Sequence, residues 1–249
     1  MRLRRILTGL GMLCFAATAN AQIGSVIRER FVLSKVAFPV PEGDFVFAAM
    51  KTRRVATKTD GGDPGYTTFA DVFHAQIDGR KLRAGLVASA LMGSDIHWQD
   101  EPCKRPGDVL FRSDLSKRSY HQNCLLVYAM KSSSLRAHAF ASAWLASKKV
   151  EVPGDVLIVA SITRFDRFNF AAAEYLFNPA AVGCSSQGPT TSIDKRFIDS
   201  VIEWGKFAQR WLDETVATRP PPPAQPSRIY RCSASEHEVP PPAGKNRVS

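Results

Sequence analysis

The sequence predicts an α+β fold. An antiparallel sheet made of hairpins in the first half of the chain is packed by two amphipathic helices from the second half, and disulfides staple the whole. Three observations carry this. Alternation of period two dominates from Phe31 to Met130. Two later segments switch to apolar residues at i, i+3, i+4 and i+7, the stripe of a helix that buries one side. Four cysteines, Cys103, Cys124, Cys184 and Cys232, follow a leader of secretory type, and an even number in an oxidising compartment reads as disulfides.

The chain divides into three regions: a signal peptide over 1–21, a single α+β domain over 22–218 and a Pro-rich tail over 219–249. The leader has Arg2, Arg4 and Arg5, a short apolar run from Ile6 to Ala17, and small residues Ala19 and Ala21 where signal peptidase needs them. The apolar run is too short for a comfortable membrane span, and no later stretch is long and apolar enough to be one. Cys14 is a poor lipidation site, because bulky Leu13 precedes it. Cleavage before Gln22 is expected, with a periplasmic or secreted destination. Removing three arginines lowers the net charge from +10 to +7.

Within the domain, "FVLSKVAF" and "DFVFAAMKTRRV" are strands on either side of the turn "PVPEG", and "GGDPG" at 61–65 is a loop. The clearest hairpin turns at Asp78-Gly79. Phe69, Phe73, Ala75 and Ile77 alternate before it, and Leu82, Ala84, Leu86, Ala88 and Ala90 after it. His74 and Gln76, with Lys81 and Arg83, fall on a second face, expected to be wet. "DVLFRSDL" and "NCLLVYAM" form a further pair across the loop between Cys103 and Cys124.

"SSSLRAHAFASAWLASKK" carries the first helix, with Ala137, Phe140, Ala141, Trp144 and Leu145 on one stripe, serines at its start and Lys148 and Lys149 at its negative end. "DVLIVASI" is a buried strand after the Pro153-Gly154 turn. "RFDRFNFAAAEYLFNP" reads as a strand followed by a short helix ending before Pro179. The last helix lies in "SIDKRFIDSVIEWGKFAQRWLDETV", where Phe197, Val201, Trp204, Ala208 and Trp211 form the stripe. Ser192 is its expected N-cap, and Gly205 is expected to permit close packing. "RPPPPAQP" from Arg219 is a polyproline-II spacer. The tail beyond it is polar and reads as a disordered end, except that a bonded Cys232 would fold it back.

Four thiols allow three pairings. Proximity favours Cys103–Cys124, which leaves Cys184–Cys232. The first closes a loop of about 20 residues, worth about 3 kcal/mol by chain entropy. A metal alternative would use His97, Cys103, His121 and Cys124. Its spacing, H-x5-C-x17-H-x2-C, lacks the tight ligand pairs that share one turn.

The chain lacks G-x-S-x-G, a Walker loop, a dinucleotide glycine fingerprint and H-E-x-x-H. Its single S-x-x-K, Ser192 to Lys195, stands without S-D-N or K-T-G. The basic residues are dispersed and carry no nucleic-acid signature. They suit another envelope protein or an anionic envelope surface as partner. Arg164, Phe165, Arg167 and Phe168 interleave in a way that suits a ligand patch, by cation–π contact and guanidinium forks, although such rings more often fill a core. No cofactor is implied. The expected function is a non-catalytic binding or accessory protein of the cell envelope; the alternative is an envelope hydrolase with a site assembled around His97 and His121.

Overall fold

The computed structural model describes residues 22–58, 64–91, 102–104, 109–118, 121–166, 169–185, 192–217, 219 and 228–232. Ten strands and two α-helices are formed by these residues: β1 Val26–Ile27, β2 Arg30–Leu33, β3 Val36–Pro39, β4 Phe45–Lys58, β5 Pro64–Asp78, β6 Lys81–Leu91, β7 Phe111–Asp114, β8 Gln122–Lys131, α1 Ala139–Ser147, β9 Val156–Phe165, β10 Phe170–Phe177 and α2 Lys195–Val216. Eight strands make one sheet in the order β1-β4-β5-β6-β10-β9-β8-β7, every neighbour antiparallel. The chain is thus α+β, mostly antiparallel sheet with two helices and two disulfides. Cys103 is bonded to Cys124 and Cys184 to Cys232. Among the described residues no helix is long and apolar enough to cross a membrane.

β2 and β3 form their own two-stranded sheet. This corrects the sequence reading, in which "FVLSKVAF" was one strand. Ser34 and Lys35 both take left-handed backbone angles, φ 49° and 70°, the requirement of a two-residue hairpin turn that matches strand twist. The hairpin then lies over the large sheet. Tyr175 donates its hydroxyl to the Pro39 carbonyl at 2.9 Å, and Trp211 Nε1 donates to the Ala37 carbonyl at 3.0 Å.

The expected wet side of the sheet is also corrected, because both faces are covered. One face buries Val72, Ala84, Leu86, Ala88, Ala173, Tyr175, Ile158 and Ala160 beneath α2 and the β2–β3 hairpin. The other buries Phe73, Ala75, Leu82, Val87, Val159 and Leu176 beneath Leu135, Ala141 and Leu145. Leu82 leaves the stripe predicted for it because the β5–β6 register slips between Gln76↔Ala84 and Ile77↔Leu82, leaving Arg83 as an extra residue. The turn moves with it: Asp78 pairs with Lys81, so Gly79 and Arg80 are the central residues, with Gly79 at φ 59°.

"FAAAEYLF", Phe170–Phe177, is strand β10 and contains no helix. Its alanines favour helix intrinsically, but it pairs with β6 on one side and β9 on the other along its whole length. The serines before α1 form a 3-10 turn over Ser132–Ala137, and the residue capping α1 is His138, without a side-chain hydrogen bond. α2 keeps its predicted stripe, with Phe197, Val201, Trp204, Ala208 and Trp211 all buried. Its cap is Asp194 rather than Ser192, the carboxylate accepting from the Arg196 N–H at 2.8 Å. Gly205 does permit close approach: a Cβ there would lie 2.8 Å from Leu125 Cδ1 and 3.5 Å from Ala160 Cβ.

Candidate functional site: an arginine cleft under the tail

The register slip that displaces Leu82 also exports Arg83. Its backbone carbonyl accepts from Asn178 N–H at 3.0 Å, so the residue is fixed, while its side chain turns into a cleft at the end of the sheet. Asn178 braces this end from inside. It is buried, donates to the Leu82 carbonyl at 3.1 Å and accepts from Ala181 N–H at 3.4 Å. The opposite wall is the β3–β4 connection. Gly43 takes φ 118°, and a Cβ there would overlap the Gln76 amide, which donates to the Glu42 carbonyl at 3.1 Å.

The tail closes the cleft. Cys232 is tied to Cys184, just after β10, and Tyr230 N–H donates to Ser200 Oγ on α2 at 3.1 Å. The Arg196 guanidinium lies 4.5 Å from the Tyr230 ring centre. These ties place Arg228, Ile229 and Arg231 on the cleft, with Pro41, Ala84, Phe177, Val182 and Phe197 as its apolar side. The cleft encloses about 630 Å³ of empty space, part of it open to solvent.

Charge is unbalanced there. Arg228 pairs with Glu42 at 2.7 Å. Arg83 and Arg231 make no ion pair or side-chain hydrogen bond among the described residues. Burial pulls the Arg83 pKa down from its ordinary value, and the charge of Arg231 pulls it further, with Asp78 and Glu42 acting weakly the other way. Three guanidiniums face one carboxylate.

A second hollow lies on the α1 side of the sheet, and its charges are matched. Buried Asp71 accepts from Arg53 Nε at 3.0 Å, stands 3.7 Å from Lys51 Nζ and accepts the Ser89 hydroxyl. His138 Nε2 meets Glu174 at 2.8 Å. Ser89 gives its proton to a carboxylate and not to a histidine, so the hollow has no serine–histidine pair.

The residues singled out from the sequence are scattered. His97, Arg167 and Phe168 lie outside the described residues. His121 Nδ1 is buried with no hydrogen-bond partner, and its ring makes no hydrogen bond or ion pair with a carboxylate or a serine among the described residues. Cys103 and Cys124 are bonded to each other, which removes both thiolates from the metal alternative. Arg164 and Phe165 are buried, and as neighbours on a strand they point to opposite faces. Arg164 Nε donates to Asp213 Oδ1 of α2 at 2.6 Å, whereas Phe165 stacks on Phe170 at 6.4 Å. Lys195 is at the surface, 2.5 Å from Asp199. Sequence reasoning missed the arginine cleft. Its only trace is the position of Arg231 beside a bonded cysteine; Leu82-Arg83-Ala84 keeps its alternation in the sequence, and the slip at Arg83 is visible only in the strand register. The chain matches no protein-family model, no curated protein and no solved structure, so function rests on this geometry.

Proposed function

We propose that the chain is an exported, non-catalytic binding protein of the cell envelope, periplasmic or secreted, that holds an anionic group of an envelope partner or surface in the arginine cleft. The observation that carries this reading is the convergence of Arg83 and Arg231, from β6 and from the tail, on one cleft without a paired carboxylate. Partial burial of Arg83 and the nearby charge of Arg231 disfavour the Arg83 cation, and a bound anion relieves this. The leader over 1–21 and two disulfides agree with export to an oxidising compartment. The polar hollow, with its serine committed to Asp71, supports binding over hydrolysis.

The test is retention of the purified chain on isolated envelope membranes. Wild type is expected to bind at low salt and to be released as salt rises. The Arg83→Gln/Arg231→Gln double variant is expected to bind at least about tenfold more weakly, since hydrogen bonds to charged groups are worth about 1.5–3 kcal/mol each. Equal retention of the two proteins rejects the cleft as the binding site.

A further inference from the structure

We infer that the arginine cleft is built for a phosphomonoester dianion, in preference to a carboxylate or a phosphodiester; this rests on the binding function proposed above. Three guanidiniums, from Arg83, Arg228 and Arg231, and one carboxylate, from Glu42, line the cleft, a net charge of +2. Glu42 holds Arg228, so Arg83 and Arg231 are the two forks open to a ligand. A phosphomonoester carries about −1.5 to −2 charge at pH 7 and three terminal oxygens. That charge matches the surplus, and three oxygens serve two forks approaching from different segments. A carboxylate has two oxygens and one charge, and a single bidentate arginine satisfies it. A phosphodiester likewise has one charge. Pro41, Val182 and Ile229 offer the organic part of the ester an apolar side.

The same head occurs in soluble phosphomonoesters and in phosphatidic-acid headgroups, and the experiment separates them. Calorimetric titration of the full chain with methyl phosphate, dimethyl phosphate and acetate is the first arm. Methyl phosphate is expected to bind at least tenfold more tightly than the other two. Its affinity is expected to fall several-fold from pH 7.5 to pH 5, because the second phosphate proton binds near pH 6 while the arginines stay charged. Arg83→Gln and Arg231→Gln each weaken it about tenfold. Glu42→Gln tightens it, a gain that poor folding cannot imitate.

Co-sedimentation with phosphatidylcholine vesicles, with and without phosphatidic acid, is the second arm. Arginine-dependent binding to the phosphatidic-acid vesicles identifies a lipid headgroup. Binding of methyl phosphate without vesicle binding identifies a soluble ester. Both outcomes support the monoester. Dimethyl phosphate or acetate binding as tightly as methyl phosphate overturns it and leaves the anion-binding function standing, as does an unchanged or weakened affinity in Glu42→Gln. Absence of binding by all three small anions, together with no arginine-dependent sedimentation on the phosphatidic-acid vesicles, overturns both.

Discussion

His74 shows how far a single residue departs from its place in the alternation. It occupies a position that reads as solvent-facing, yet it is 1% exposed, with the Phe31 ring at 4.3 Å and the Phe47 ring at 5.0 Å. Neither ring nitrogen has a hydrogen-bond partner among the described residues. Burial drives its pKa down to about 3 from 6.5. In the unfolded chain the imidazole takes up a proton near pH 6.5, whereas the folded protein resists protonation until about pH 3. Between those values the unfolded state binds more protons, so stability falls as pH falls from 6.5 towards 3 and is fully present above 6.5. The loss between pH 7 and pH 4.5 is on the order of 2–3 kcal/mol. Urea unfolding at both pH values is expected to show this loss in wild type and a much shallower one in His74→Phe. A slope unaltered by the substitution would assign the acid sensitivity elsewhere. Arg164 is the opposite case, a buried cation made tolerable by Asp213 across the sheet–helix contact. No period in the sequence marks either residue as buried, because their cover comes from Phe31 and Asp213, distant in the chain.

At the scale of the element, α2 was the most legible part of the chain, since five apolar residues from Phe197 to Trp211 repeat at helical spacing within a helix of 22 residues. Gly205 sits in its centre against Leu125, which is fully buried. Alanine there gains about 1 kcal/mol of helix propensity but crowds the Leu125 methyls, so the two effects nearly cancel. Gly205→Leu adds three further carbons to a closed space and is expected to lose about 2–3 kcal/mol. Thermal denaturation should therefore leave Gly205→Ala within a few degrees of wild type and lower the midpoint clearly for the leucine variant. Equal stability of all three would show that α2 stands further from β8 and β9 than 2.8 Å implies. β10 was illegible for the converse reason. "AAAEYLF" has helical propensity, and only pairing with β6 and β9 makes it a strand. The short β2–β3 hairpin was hidden because Ser-Lys is an unusual pair for a turn that needs two left-handed residues.

For the whole molecule, the Cys184–Cys232 bond is the device that joins the tail to the domain. It spans 48 residues, for which chain entropy gives about 4 kcal/mol. Residues 228–232 supply two of the cleft's three arginines and Ile229. Cys184→Ser/Cys232→Ser is expected to leave the sheet and both helices intact by circular dichroism while weakening methyl phosphate binding about tenfold or more. Cys103→Ser/Cys124→Ser, which lies away from the cleft, is expected to lower stability by about 3 kcal/mol and to spare binding. If the first pair of substitutions left affinity unchanged, the tail would not be a wall of the site.

Alternation, helical spacing and the number and nearness of the cysteines determined the fold class, the strands β8 and β9, the face that α2 buries and the favoured cysteine pairing. Each of these follows from local period or from nearness along the chain, which a sequence displays directly. The cover on both faces of the sheet, the burial of His74, the strand state of β10 and the meeting of Arg83 with Arg231 were decided only in three dimensions. They depend on a one-residue register slip and on contacts between segments distant in the chain, and neither leaves a periodic mark in the sequence.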